Sequence, residues 1–233
     1  MTVKIKNLDE LQDAIDVHFT DIDLLSLAFI HKSYVNEHED EEGYNERLEF
    51  LGDAVLELVV TDFLYHKHPD QPEGQLTNWR SALVKGKNLA RISRKMGLGK
   101  YLLLSRGEDL SGGREKDYIL ANTMEALIGA IYLDKGFDLA NQFILKNIVI
   151  LLDEIIEQGL NVDAKSRVQE LTQEKLGMTP TYELLTEEGP DHDKVFEMGI
   201  YFGKELAGQG KGPSKQEAEQ SAAKDALKNK QWN

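Results

Sequence analysis

The chain reads as a multidomain protein, an all-α domain followed by a small α+β domain of order α-β-β-β-α. Three observations lead there. Its 233 residues suit two modest domains with a core each. Apolar residues recur at helical spacing as far as Ile156. From Asp163 the pattern changes to a helical stretch, three short alternating segments with the spacing of strands, and a closing helix. The expected division is a first domain over 1–157, a linker over 158–162 and a second domain over 163–231.

Composition narrows the class further. Hydrophobic content of 41% and charged content of 29% read as soluble and globular, and the absence of cysteine leaves no disulfide framework or thiolate metal site. Met1 to Phe19 has no continuous apolar segment, which argues against an ordinary secretory signal, and no later run reaches the length of a membrane span. A cytoplasmic location is the expectation. A net charge of −14 speaks against indiscriminate binding to polyanions, so any nucleic-acid contact must come from localised lysines and arginines.

In order, Leu8 to Phe19 predicts a first amphipathic helix, with Leu8, Leu11, Ile15 and Phe19 on one side. Asp21 can cap a second, in which Leu24, Leu25, Leu27, Ala28 and Ile30 are buried. His31 and Ser33 at its exit read first as hydrogen-bonded packing residues. Glu37 to Gly43 is an acidic loop. A long helix follows and runs to His66-Lys67-His68-Pro69, where proline stops it. Its apolar stripe is Leu48, Leu51, Val55, Leu58 and Val59.

This helix carries the chemistry. Glu46, Glu49 and Asp53 stand at i, i+3 and i+7, which stacks three carboxylates on one stripe. Like charges so placed repel unless something positive sits among them, and a hard divalent cation with oxygen ligands is the obvious candidate. A solvated acidic face is the simpler alternative. Gly52 tips the balance: inside a helix glycine costs about 1 kcal/mol relative to alanine, so it should admit a close backbone beside the acids.

The run Asn45-Glu46-Arg47-Leu48-Glu49-Phe50-Leu51-Gly52-Asp53-Ala54-Val55-Leu56 closely resembles the signature of the ribonuclease III family, whose members cut double-stranded RNA with Mg²⁺. Later blocks agree in order. Glu73 opens the next helix and, by the resemblance, approaches the metals; Thr77 and Arg80 on that helix either meet RNA or are an ordinary exposed face. Ser105 to Arg114 is a long polar loop that the resemblance puts near substrate, with Arg114 as a phosphate contact to test. His66 and His68 invite zinc, but no further ligands accompany them. In Ala121-Asn122-Thr123-Met124-Glu125-Ala126, Asn122 and Glu125 share a face; the family commonly carries Asp at the first position. Asparagine still offers a carbonyl oxygen to a cation but not a charge. Gly136 to Ile156 reads as the last helix, with Phe137, Phe143, Ile144, Ile148, Leu151, Leu152 and Ile155 inward.

In the second domain, a helix over 163–176 with Val168, Leu171 and Leu176 inward precedes strands over 181–186, 195–202 and 204–209, and Ser214 can cap an alanine-rich helix. With Gly208-Gln209-Gly210-Lys211-Gly212-Pro213-Ser214-Lys215, this resembles the double-stranded RNA-binding domain. The resemblance implies that Gln169 and His192 reach minor grooves and that Lys215, with Lys211 as a weaker addition, meets phosphates. The module holds 10 Lys+Arg against 13 Asp+Glu, fewer basic residues than such a role suggests. A small α+β interaction domain is the alternative.

Together the resemblances imply an endoribonuclease on duplex RNA, acting in the processing of ribosomal and other structured RNA. Mg²⁺, or Mn²⁺ as a substitute, would be held by Glu49, Asp53, Asn122 and Glu125, with Glu46 and Glu73 nearby and Asp53 and Glu125 catalytic. Products would carry 5′-phosphate and 3′-hydroxyl ends. A homodimer is implied, Phe50 packing at its interface; core packing explains Phe50 equally well. The rivals are a non-cleaving double-stranded RNA scaffold, motivated by Asn122, and hydrolysis of small phosphate esters.

Overall fold

The computed structural model describes residues 7–38, 43–157, 164–190 and 194–232. The chain separates into two compact units, 1–161 and 162–233. The expected linker lies outside the described residues, as does His192.

The first unit is helical: α1 (Leu8–Ile15), α2 (Ile22–Ala28), α3 (Lys32–Val35), α4 (Glu46–Lys67), α5 (Glu73–Val84), α6 (Gly86–Lys95), α7 (Arg106–Leu110), α8 (Asp117–Lys135), α9 (Phe137–Asn147) and α10 (Leu152–Glu157). Asp21 caps α2 as expected, its carboxylate accepting from the N–H groups of Asp23 and Leu24. The long α4 lies mainly against α8. Leu48, Val55, Leu56, Val59 and Val60 meet Met124, Leu127, Ile128 and Ile131 in one continuous core.

The crossing of α4 and α8 is close because both carry glycine where they meet. A Cβ on Gly52 would fall 1.7 Å from the carbonyl oxygen of Glu125, and one on Gly129 would fall 2.3 Å from that of Leu48. Gly52 thus admits the backbone that its position in a strong helix suggested.

Several local expectations are corrected. The first helix stops at Ile15, where Asp16 turns left-handed at φ 55°. Leu58 is exposed on the far side of α4, as Phe137 is at the start of α9. The last helical stretch breaks into α9, a 3₁₀ turn (Val149–Leu151) and α10. The segment from Ser105 to Arg114 is largely ordered into α7 and a following 3₁₀ turn (Gly113–Glu115), with the Ser105 hydroxyl accepting from Glu108 N–H.

The second unit holds α11 (Ala164–Leu176), β1 (Thr181–Glu188), β2 (Val195–Phe202), β3 (Glu205–Gly212) and α12 (Lys215–Asn229). The strands form one antiparallel sheet in the order β1-β2-β3, with a bulge in β1 between Leu184 and Thr186. Met198, Ile200 and Phe202 face the helices, where Val168 and Ala218, Ala222, Ala223 and Ala226 complete a small core. Leu176 is exposed, not inward. β3 runs three residues beyond the expected Gln209, and the extension has a purpose: Gly208, Gly210 and Gly212 all face α12. A Cβ on these three would fall 2.5, 2.2 and 2.7 Å from the backbone nitrogens of Ala226, Ala222 and Ala218. Glycine on the strand and alanine on the helix let the two backbones nearly touch. Ser214 caps α12 by accepting from Glu217 N–H at 3.2 Å.

Candidate active site and RNA-binding surface

The close helix crossing brings the acids of α4 beside those of α8. Glu49 and Glu125 are half-buried, while Asp53 and Glu46 are exposed at the edge. Burial pushes the Glu125 carboxyl up to about 7, and the carboxylates of Asp53 and Glu49 push it the same way. Glu49 is raised too, first by burial; Glu46 and Asp53 add to the rise, and a hydrogen bond with Asn122 opposes it. Glu46, Glu49, Asp53, Asn122 and Glu125 therefore form one electrostatic set drawn from two helices. Glu73, exposed at the first position of α5, has no part in either shift.

Among the described residues, no three His, Asp or Glu side chains stand close enough to hold an ion as they lie. The donor chemistry nevertheless fits a hard cation: the set offers carboxylate oxygens and one amide oxygen, and its excess charge is relieved by protonation of Glu125. Gathering the ligands needs rotation of side chains, because the backbones of α4 and α8 already approach through Gly52.

Lys32 escaped the reading of the sequence. It reaches Glu46 at 3.3 Å, and the cleft it shares with Glu46, Glu49 and Asn122 is walled by His31 and Asn36. His31 and Ser33 are packing residues as expected: the Ser33 hydroxyl donates to His31 Nδ1 at 2.8 Å and accepts from Ser105 N–H at 3.0 Å. Burial lowers the imidazole's pKa. Asn45, buried just before α4, donates its amide to the Ala28 carbonyl at 3.2 Å and fixes where the acidic helix begins.

Arg114 is not a free phosphate contact. Its guanidinium holds Asp109 through Nε at 2.8 Å and Nη2 at 3.0 Å, and Nη1 donates to the carbonyls of Gly99 and Leu102. Arg80 is likewise engaged, by Glu57 at 3.0 Å and Thr61 at 3.0 Å. His66 bonds the Asp62 carbonyl and His68 packs on Trp79, so the two histidines do not converge on a zinc. Phe50 is 81% exposed, which removes core packing as its explanation.

In the second unit Gln169 is exposed on α11. Lys215 opens α12 with its ammonium 5.9 Å from the centre of the Phe196 ring, and Lys211 pairs loosely with Glu197 at 3.6 Å.

Residues 21–152 match the family described as ribonuclease-III-like, and residues 164–230 match the double-stranded RNA binding motif. The chain is 44% identical to ribonuclease 3 of Borreliella burgdorferi over 95% of its own length and 90% of the relative's. It is 45% identical to ribonuclease 3 of Natranaerobius thermophilus, covering 96% of both. Among solved structures, the nuclease domain of ribonuclease III from Campylobacter jejuni is similar at a TM-score of 0.56 and 43% identity, over 60% of this chain and 92% of that one. A second structure of that domain, with the same score and identity, covers 60% of this chain and 98% of that one and is described by flexibility in a region involved in dimer formation.

Proposed function

The chain belongs to the ribonuclease III family, a nuclease unit joined to a double-stranded RNA-binding unit, and from that premise we propose that it hydrolyses phosphodiesters of duplex RNA with Mg²⁺ at the acid set of α4 and α8. The observation that carries this is the close crossing of α4 and α8 at Gly52 and Gly129, which sets the half-buried Glu125 carboxyl among the charges of Asp53 and Glu49. A site so rich in negative charge favours a cation, and a phosphate would otherwise be repelled.

Glu49, Asp53 and Glu125 would ligate through carboxylate oxygens and Asn122 through its amide oxygen, with Glu46 and Glu73 contributing from the rim. Bound Mg²⁺ supplies a water of lowered pKa and polarises the phosphate. Glu125 must release its proton to ligate, so occupancy should fall below about pH 7. Asn122, by its hydrogen bond to Glu49, orients that carboxylate without adding charge. The products of the reading are 5′-phosphate and 3′-hydroxyl ends. Gln169 and Lys215, with Lys211 and His192, would hold the duplex. Phe50 would pack between two copies, each cutting one strand. Cytoplasmic processing of ribosomal and other structured RNA is the setting proposed. Among the described residues no helix is long and apolar enough to cross a membrane.

Labelled duplex RNA with Mg²⁺ tests this. Glu125→Ala should abolish cutting, and Lys215→Ala should retain it with weaker affinity. Cutting by Glu125→Ala at the rate of the parent would overturn the assignment of the site.

A further inference from the structure

We propose that Lys32 is a contact for an RNA phosphate, and that the cleft between α3 and the acid set seats one ribose-phosphate unit of the strand being cut. The inference rests on the duplex-RNA reading above and adds to it a binding site where the acid set faces the corner from His31 to Asn36.

The cleft measures about 240 Å³; one wall is the corner from His31 to Asn36, the other carries Glu46, Glu49 and Asn122. That is below the roughly 300–1,000 Å³ of pockets that enclose a whole small ligand. It suits part of a polymer better than a free metabolite.

Charge selects the part. A phosphate approaching Glu46, Glu49, Asp53 and Glu125 meets a wall of like charge, and among the described residues Lys32 is the one cationic side chain ion-paired to any of the four. Its partner is Glu46, and both side chains are about half exposed, at 58% and 49%, so solvent screens the pair and it stabilises little. An ammonium has three donors, and a phosphate can share it or displace the carboxylate.

The corner that delivers Lys32 is well anchored. His31 N–H donates to the Leu103 carbonyl at 3.1 Å, Ser33 accepts from Ser105, and Asn45 binds the Ala28 carbonyl. Next to the ammonium, the Asn36 side chain and the His31 ring, whose pKa burial lowers, offer polar surface of the kind a ribose requires.

The test is equilibrium binding of a short duplex RNA to the full chain over a KCl series, with Ca²⁺ replacing Mg²⁺ so that binding is read apart from cutting. Each lysine on a phosphate contributes about 0.7–0.9 to the slope of log affinity against log salt. Lys32→Met should flatten that slope by close to one and weaken binding several-fold at low salt, as Lys215→Met should; Lys32→Arg should keep the slope. Because Lys32 is exposed, the thermal midpoint should not move. A slope unchanged in Lys32→Met, while the parent binds and cuts duplex RNA, overturns the proposal. A parent that neither binds nor cuts duplex RNA overturns the reading beneath it as well.

Discussion

Replacing Gly52 by alanine tests the helix crossing on which the acid set depends. In an isolated helix the change would stabilise by about 1 kcal/mol. Here the new methyl would lie 1.7 Å from the Glu125 carbonyl oxygen and 2.8 Å from Gly129 N. Carbon and carbonyl oxygen ordinarily approach no closer than about 3.3 Å, so the helices must separate locally by roughly 1.5 Å. Both obstructing atoms are backbone, and no rotamer relieves them. Overpacking of this kind costs about 1–3 kcal/mol, and prying α4 from α8 also loosens the core between them, so a loss of about 3 kcal/mol is expected. For a domain of this size that is roughly 6–12 °C in Tm. Gly74→Ala on α5 is the control: nothing lies within 4 Å of its Cβ position, and it should gain a few tenths to about 1 kcal/mol. Urea unfolding followed by Trp79 fluorescence in a Trp232→Phe background reads the first unit alone, since Trp79 is buried there and Trp232 stacks on Phe202 in the second. Cutting should fall by about 10²-fold, because a displacement near 1 Å is enough. A Gly52→Ala protein as stable and as active as the Gly74→Ala control would refute the crossing.

Three other outcomes are expected. Glu125 keeps its proton in the folded chain up to about pH 7, whereas the unfolded chain releases it near 4.5, so metal-free stability should fall as pH rises between those values. Glu125→Gln removes that slope, and its gain in urea midpoint should be larger at pH 8 than at pH 5; equal gains would contradict the sign. Arg114→Ala should destabilise by about 2–3 kcal/mol through loss of charged hydrogen bonds while leaving the salt slope of RNA binding unchanged, measured by unfolding and binding on the same sample. Phe50→Asp should turn a dimer into a monomer in sedimentation without lowering the thermal midpoint of the monomer; an unchanged mass would remove Phe50 from the interface.

What could be read from the letters was what repeats. The stripe of α4 apart from Leu58, the cap at Asp21, the alternation of β2 and the alanine face of α12 each follow from short-range periodicity, and the structure has them. The acid set was legible as a spacing within α4, the close approach of a backbone through the cost of a glycine at position 52, and the part of Glu125 only through the family resemblance of its block. What escaped depends on distant partners. The five hydrogen bonds of Arg114 run to a residue five positions back and to carbonyls 12, 14 and 15 positions back, and no local pattern marks them. Lys32 meets Glu46, 14 positions further on. Leu58 and Phe137 look like core letters at core spacing, and only the outline of the packed unit shows them outside it.

The row of glycines on β3 has a consequence for how a duplex would be measured. Because strand and helix backbones approach closely at Gly208, Gly210 and Gly212, α12 is seated on the sheet with no side chain between, and Lys215 at its start is carried at a height set by those glycines. On the proposed reading, the reach of Lys215 toward a duplex is then set by the strand glycines as well as by the lysine itself. A bulkier side chain at Gly210 would lift α12 from the sheet and carry Lys215 with it, changing how the unit meets a duplex although every side chain given to RNA is retained.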